Sequence, residues 1–247
     1  MSTQKRIGML TPSSNTALEP LTSAMLAGLD DVSVHFGRFR VTRIALSEDA
    51  LGQFDIEPML AASRLLADAK VDAICWNGTS AGWLGFESDR RLCDGITAET
   101  GIPACSAVLA LNDIFEMTAV RRFGLVTPYT ADVQGKIVET YAKAGFTCSA
   151  ERHLDIADNF SFATVADDAI SGMIKQVAAS DGVQAITTFC TNLKAAQLVE
   201  RLEQEIDLPI YDTVATALWP ALKLAGADPG RIKGWGRLFR TKPLLGL

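Results

Sequence analysis

Four short polar segments of the sequence carry residue types that could bind a carboxylate. Each follows an apolar run and precedes a stretch with helical spacing; they are residues 11–16, 77–80, 127–130 and 189–192. Their hydroxyls, amides and backbone N–H groups are hydrogen-bond donors, and helix N-termini attract anions. For any one segment, helix capping is the better explanation. Four such segments, brought together around one cleft of the folded protein, predict a carboxylate-binding site.

Cys190 is the residue of these segments with reactive chemistry. It stands at the end of a predicted strand, directly before Thr191. A thiol near a helix N-terminus is expected to have a lowered pKa, and it can act as an acid, a base or a nucleophile. The other four cysteines lie in segments without such company, and we predict structural roles for them. They are Cys75, Cys93, Cys105 and Cys148.

Further side chains are candidates for substrate binding. Ser14 and Asn15 offer a hydroxyl and an amide, and Thr191 offers a hydroxyl beside the thiol. Tyr129 carries a phenol that can donate to a carboxylate or an enolate oxygen. Arg40 follows the second predicted strand, and we expect its guanidinium to reach the cleft and pair with a carboxylate. A solvated strand edge is the alternative for this arginine.

Alternating strands and helices position these residues. The apolar runs predict buried parallel strands at residues 7–10, 32–36, 71–76, 123–126, 185–188 and 209–211. Helical spacing covers residues 57–69, 131–144, 165–179 and 193–205. This alternation indicates an α/β fold with parallel sheets, in which ligands bind outside the carboxyl ends of the strands.

The sequence also repeats itself. Residues 6–12 (RIGMLTP) return 116 residues later as RFGLVTP, and residues 71–80 (VDAICWNGTS) return 112 residues later as VQAITTFCTN. A shorter match, GIP against DLP, has an offset of 106 residues. Three collinear matches favour a duplication over a chance likeness of two α/β units. We predict two similar halves, 1–115 and 116–225, with the tail 226–247 joined to the first. Gly78 is then the equivalent of Cys190.

Composition excludes several classes of function. The 247 residues carry a net charge of −6, which leaves no basic face for a nucleic acid. Five cysteines without a CxxC pair, together with two histidines, argue against a disulfide framework and a metal site. No apolar run is long enough to span a membrane, and residues 1–6 lack the pattern of a signal peptide. These features predict a cytoplasmic protein without a membrane partner.

Several motifs resemble those of known enzymes. Residues 12–16 (PSSNT), 128–129 (PY), 158–159 (DN) and the segment around Cys190 resemble the maleate cis-trans isomerases. Residues 78–80 (GTS), Tyr129, Cys190 and residues 234–239 (GWGRLF) resemble the arylmalonate decarboxylases. Both groups belong to the aspartate/glutamate racemase superfamily, and the resemblance runs over nearly the whole chain.

The resemblance implies two pseudo-symmetric flavodoxin-like (Rossmann-like) domains with the active site between them, and chemistry without a metal or organic cofactor. In the isomerases and racemases, a cysteine of the first half works with one of the second half. In the decarboxylases the first of these positions is glycine, which Gly78 matches. The Thr and Ser that follow hold the reacting carboxylate there, which implies this role for Thr79 and Ser80. The remaining cysteine protonates the enediolate left by carbon dioxide, which implies this role for Cys190.

Asn15, Asn159 and Arg40 match the isomerase pattern instead and favour a small, polar dicarboxylate as substrate. Our leading hypothesis is decarboxylation of a malonate-type acid through a carbanion or enediolate. The alternatives are maleate-type isomerisation, racemisation of the aspartate/glutamate type, and a carboxylate-binding protein without catalysis. The resemblance also implies a homodimer or a higher homo-oligomer.

Overall fold

The computed structural model describes residues 4–240. Its strands are β1 Lys5–Pro12, β2 Val32–Phe39, β3 Ala73–Trp76, β4 Ala104–Ser106, β5 Arg122–Val126, β6 Thr147–Arg152, β7 Ala185–Thr188 and β8 Ile210–Asp212. Its helices are α1 Leu18–Met25, α2 Glu48–Leu51, α3 Ile56–Asp68, α4 Ala81–Leu84, α5 Phe86–Thr100, α6 Ala107–Met117, α7 Ala131–Lys143, α8 Asp167–Ala178, α9 Val199–Ile206 and α10 Thr213–Leu224. Short 3₁₀ turns occupy Gly52–Phe54, Phe160–Thr164, Ala196–Leu198, Pro229–Arg231 and Arg237–Arg240.

Two parallel four-stranded sheets form the frame of the molecule. Their strand orders are β2-β1-β3-β4 and β6-β5-β7-β8, so the two sheets have the same topology. The direction in which successive strands are added reverses between β1 and β3 in one sheet and between β5 and β7 in the other. In open α/β sheets, ligands bind at such a point. The predicted α/β fold with two flavodoxin-like parallel sheets is confirmed. The segments after β1, β3, β5 and β7 therefore lie where a ligand is expected.

Strand register reproduces the sequence repeat. Ile7 pairs with Ala73 in the first sheet, and Phe123 pairs with Ala185 in the second. Ile74 pairs with Ala104, and Ile186 pairs with Ile210. The sequence offset of 116 residues leads from Ile7 to Phe123, and the offset of 112 residues leads from Ala73 to Ala185. The offset of 106 residues leads from Ala104 to Ile210. Gly78 and Cys190 consequently follow equivalent strands at equivalent positions.

The six predicted strands are present, and two strands were missed. β4 is only three residues long, and β6 is a partly exposed edge strand with the mixed sequence TCSAER. Neither contains the continuous apolar run that predicts a strand buried on both faces. Helix α7 ends where the glycine at position 145 predicts it, because Gly145 has a φ of 84° that favours glycine.

Contacts between the repeats extend beyond the cleft. Helix α10 packs against α6, β3 and β4 of the first repeat, and the Thr216 hydroxyl donates to the carbonyl of Ala107 at 2.9 Å. The described part of the tail touches both repeats: Arg231 pairs with Asp31, and the amide of Gly236 donates to Glu200. Residues 241–247 lie outside the described range. Within residues 4–240, no helix combines the length and apolar character that crossing a membrane requires.

Candidate active site

A small cavity lies where the segments after β1, β3, β5 and β7 meet. Seven of the ten predicted site residues line it, and they are Gly78, Thr79, Ser80, Tyr129, Asn159, Cys190 and Thr191. The other lining residues are seven: Pro12 and Asn192 belong to the predicted polar segments, and sequence reasoning missed Val41, Ile44, Phe54, Trp76 and Trp83. None of the other four cysteines lines the cavity. Cys190 is therefore the one thiol among its lining residues.

The thiol of Cys190 is held in its neutral form. The residue is 2% exposed, and this burial raises the pKa of the thiol to about 12. A hydrogen bond with Tyr129 and the amides of Asn192 and Leu193 oppose the rise without cancelling it. The expected lowering of this pKa is wrong, because the loss of solvation outweighs the favourable dipoles of the turn. At neutral pH, the thiol therefore carries its proton.

Tyr129 and Thr79 form a hydroxyl pair beside the thiol. Their oxygens are 2.7 Å apart across the boundary between the repeats. The tyrosine ring makes edge contacts with Trp83 and Phe162, with ring centroids 5.4 Å apart in each case. Burial raises the pKa of Tyr129 well above its usual value, so its hydroxyl stays protonated. The pair can donate a hydrogen bond to an oxyanion formed in the cavity.

A buried network of asparagines joins the two repeats behind the cavity. Asn15 accepts from the amides of Ala17 and Leu18, which begin helix α1, and its side-chain nitrogen donates to Thr191 at 3.2 Å. Asn192 of the second repeat acts on the same turn, since its side-chain oxygen accepts from the amides of Thr16 and Ala17. Asn15 thus caps a helix and orients Thr191 but does not line the cavity.

Ser14 and Asn159 make a second link between the repeats. The side-chain nitrogen of Asn159 donates to the Ser14 hydroxyl at 2.7 Å, and that hydroxyl donates to the carbonyl of Val41 at 2.7 Å. Asn159 lines the cavity, whereas Ser14 lies directly behind it. The amides of Ser13 and Ser14 donate to β2 and the residues that follow it. The first polar segment therefore braces the site and offers few free donors.

Arg40 does not lie in the cavity. Phe39 and Val41 are buried on one side of the chain, and the alternation of an extended segment turns the intervening Arg40 outward. Its side chain is exposed and lines a separate surface depression with Asp49 and Gln53. The expectation that its guanidinium reaches the cleft is wrong for this reason. Among residues 4–240, no lysine, arginine or histidine lines the cavity that contains Cys190.

Backbone amides supply the donors that cationic side chains do not. Five backbone amides of the site donate to no acceptor within the described part of the protein, and they belong to Gly78, Thr79, Ser80, Cys190 and Thr191. They follow β3 and β7 and stand at the starts of the helical turns beyond. Such clustered N–H groups bind anions without a formal positive charge. Within residues 4–240, no three His, Cys, Asp or Glu side chains cluster as metal ligands would.

Trp76 fills the space that a side chain at position 78 would need. A Cβ atom built on Gly78 would lie 2.1 Å from Cζ2 of the Trp76 indole and 2.3 Å from Cη2. Trp76 is 1% exposed and packs against Phe39, with ring centroids 5.2 Å apart. The glycine and the indole are thus sterically complementary. The sequence offered a signal for Trp76, namely a large aromatic residue in the last position of a predicted strand.

The cavity is too small for a dicarboxylate in this conformation. Its volume is about 20 Å³, which is room for about one water molecule. Val41, Ile44 and Phe54 cover it from the segment that connects β2 to helix α3. A dicarboxylate therefore enters only when part of this wall moves.

The cavity can hold an anion among neutral donors and deliver one proton to it. The family whose sequence model matches residues 7–239 is arylmalonate decarboxylase. This chain belongs to the arylmalonate decarboxylase family. The match spans both repeats and every residue that lines the cavity.

Similar proteins divide between two activities. Maleate isomerase from Nocardia farcinica is 24% identical to the present chain over 242 residues, which cover 96% of each chain. Arylmalonate decarboxylase from Bordetella bronchiseptica is 23% identical over 186 residues, which cover 74% of this chain and 78% of that protein. The chain is therefore an enzyme of the family that includes maleate isomerases and arylmalonate decarboxylases.

Solved structures share the fold. Nocardia farcinica maleate cis-trans isomerase bound to Tris superimposes with a TM-score of 0.86 at 24% identity, covering 96% of this chain and 98% of that one. A cysteine-to-serine mutant of that isomerase, which holds a covalently bound succinylcysteine intermediate, gives a TM-score of 0.85 at 24% identity. It covers 96% of this chain and 99% of the mutant.

Proposed function

We propose that this enzyme decarboxylates a substituted malonate without a metal or organic cofactor, with Cys190 as the proton donor. The observation that carries the proposal is the contrast between two equivalent positions. One holds the buried thiol of Cys190, and the other is Gly78, whose side-chain space Trp76 occupies. A reaction that needs one acid suits such a cavity. A reaction that needs two facing thiols lacks its second group.

The retained carboxylate of the substrate binds to neutral donors. The free amides of Gly78, Thr79 and Ser80 and the hydroxyls of Thr79 and Tyr129 are available to its oxygens. These donors are fixed before the reaction, so they stabilise the negative charge that grows on these oxygens. A malonate bound here needs no arginine partner.

Loss of carbon dioxide generates the intermediate. The bond between the α-carbon and the second carboxylate breaks, and its electron pair moves into the retained carboxylate to give an enediolate. Val41, Ile44 and Trp83 supply an apolar wall to the cavity. A charged carboxylate beside such a wall is poorly solvated, whereas neutral carbon dioxide is not, which favours the step.

Cys190 completes the reaction by protonating the α-carbon from one face. Because burial raises its pKa to about 12, the thiol carries its proton throughout the neutral range. The resulting thiolate accepts hydrogen bonds from Tyr129 and from the amides of Asn192 and Leu193 until it regains a proton from water. The product is a monocarboxylic acid with one proton from the enzyme at its α-carbon.

Isomerisation of maleate is the second candidate. It is favoured by the Ser14–Asn159 and Asn15–Thr191 contacts at motifs that resemble the isomerases, and by the length of the match to an isomerase. Addition of a thiolate to the double bond needs an ionised cysteine, and a thiol with a pKa of about 12 is a poor nucleophile at neutral pH. We therefore rank isomerisation below decarboxylation.

Proton NMR in D₂O separates the two reactions. We expect phenylmalonate to give phenylacetate with one deuterium at the α-carbon and maleate to remain unchanged. Cys190→Ala should lower kcat by about 10²- to 10⁴-fold, the usual contribution of a positioned acid. Cys148→Ala is the matched control, because Cys148 also has a pKa raised to about 12 by burial but lies outside the cavity. Fumarate from maleate, with no carbon dioxide from any malonate, would overturn the proposal.

A further inference from the structure

A second pocket adjoins the cavity that contains Cys190. It has a volume of about 340 Å³ and lies between helices α3 and α5. Phe54, Trp76 and Ser80 line both spaces, so the two spaces adjoin at these side chains. We refer to this space as the α3–α5 pocket.

The α3–α5 pocket has an apolar body and one buried acid. Met59 and Leu92 are buried and contribute apolar side chains to its lining. Asp89 also lines it, although this carboxyl is 2% exposed. Asp55 and Arg91 are exposed residues of the same lining and carry opposite charges. The chemistry of the pocket suits a ligand that is apolar along its length and polar at its end.

Two buried polar atoms beside the pocket lack a hydrogen bond of good geometry. Among residues 4–240, Oδ2 of Asp89 and Nε1 of Trp76 have no hydrogen-bond partner, and both atoms are buried. The indole and the Ser106 hydroxyl are near enough to moderate the pKa of Asp89, which burial raises to about 7. Buried polar atoms are nearly always paired in folded proteins, with a protein group, water or a ligand. Asp89 and the Trp76 indole are thus neighbours with unmet hydrogen bonds, and a turn of the indole would leave the carboxyl in need of another donor.

The catalytic cavity needs additional room. Its 20 Å³ holds about one water, which is far less than a substituted malonate requires. A substituent on the α-carbon has to extend into a neighbouring space, and the α3–α5 pocket begins behind Trp76. A turn of the Trp76 indole is the movement that would join the two spaces.

We infer that the α3–α5 pocket binds the substituent of the malonate, and that Asp89 accepts a hydrogen bond from an N–H or O–H group at the end of that substituent. This inference rests on the proposed decarboxylation and specifies its substrate: an α-substituent with an apolar body and a terminal donor. Trp76 lies between the two spaces in this structure and determines which substituents pass.

A matched pair of substrates tests the role of Asp89. 4-(Aminomethyl)phenylmalonate and 4-ethylphenylmalonate have side groups of the same length that end in an ammonium or a methyl group. We expect kcat/KM to favour the ammonium compound by about 10- to 100-fold, as for a hydrogen bond to a charged group. Asp89→Leu should abolish or reverse the preference, and Asp89→Asn should reduce it if the leucine variant does not fold. Asp68→Asn, at an exposed position of α3 outside the pocket lining, should leave the preference unchanged.

A binding measurement separates failure of this inference from failure of the proposed function. Benzylamine carries the side group alone, and at millimolar concentration it should shift the ¹⁵N–¹H resonance of the Trp76 indole, assigned by its loss in Trp76→Phe. Asp89→Asn should weaken that response. Carbon dioxide release from both malonates without a preference, or no shift of the Trp76 resonance by benzylamine, overturns the inference. No release of carbon dioxide from any malonate overturns the proposed function, and the benzylamine result then still stands for the pocket.

Discussion

Replacing Gly78 by cysteine tests whether Trp76 excludes a second thiol from the site. The new Cβ atom would stand 2.1 Å from Cζ2 of the indole, whereas ordinary contact begins near 3.4 Å. The ring has to move by more than an ångström, although it is buried and packs against Phe39. The backbone of Gly78 does not have a positive φ, so the expected strain is steric alone.

The expected destabilisation follows from overpacking of a buried site. Such insertions cost about 1–3 kcal/mol, and the size of the required shift places Gly78→Cys near the upper end. A loss of about 3 kcal/mol lowers the melting temperature of a protein of this size by about 6–12 °C. Trp76→Leu removes the clashing atoms, so combining it with Gly78→Cys should recover at least about 1 kcal/mol relative to additivity.

Thermal and urea denaturation in reducing buffer measure these changes and exclude a new disulfide with Cys190. The matched control is Gly135→Cys, at an exposed position of helix α7 where an added Cβ meets nothing within 4 Å. We expect its stability to stay within about 0.5 kcal/mol of the parent. If Gly78→Cys unfolds at the same midpoint as Gly135→Cys, Trp76 does not fill the space and the case for a single thiol fails.

Two further predictions concern buried polar groups. Thr79→Val and Tyr129→Phe should each lower kcat by about 10²- to 10³-fold, and the double variant should lose less than the product, because the two hydroxyls share one hydrogen bond. Arg40→Ala should leave kcat unchanged, and a comparable loss of kcat would contradict the placement of Arg40 outside the cavity. Burial raises the pKa of Asp212 to about 7, so this group stabilises the fold below about pH 4 and loses that contribution as the pH rises through 7, by up to about 4 kcal/mol. Urea denaturation measures the difference in free energy of unfolding between pH 4.5 and pH 7.5. We expect this difference to be smaller for Asp212→Asn than for the parent protein, and equal differences would refute the assignment.

The frame of the molecule was predictable because its signals are local and repeated. Buried parallel strands produce continuous apolar runs, and the two copies of the unit confirm each other through their sequence offsets. The same offsets connect Ile7–Ala73 with Phe123–Ala185 in the sheets. Edge strand β6 was missed because its side chains are partly exposed and carry no such run.

Seven of the ten predicted site residues line the cavity for a related reason. The carboxyl ends of parallel strands meet at one edge of a sheet, so the polar segments after them had to converge. Thr79, Tyr129 and Cys190 lie in the cavity on this ground. Arg40 was misplaced because its position depends on which way an extended residue turns after β2 ends, and its neighbours decided that.

The sequence by itself determined the duplicated α/β unit, the polar segments at the strand ends, and the contrast between Cys190 and Gly78 at equivalent positions. Only the tertiary structure decided the protonation state of Cys190 and the space available beside Gly78. The protonation of Cys190 depends on how completely the two repeats exclude water from its sulfur, which is a sum over distant residues. The space beside Gly78 depends on the orientation of the Trp76 ring, which packing sets and no local pattern encodes.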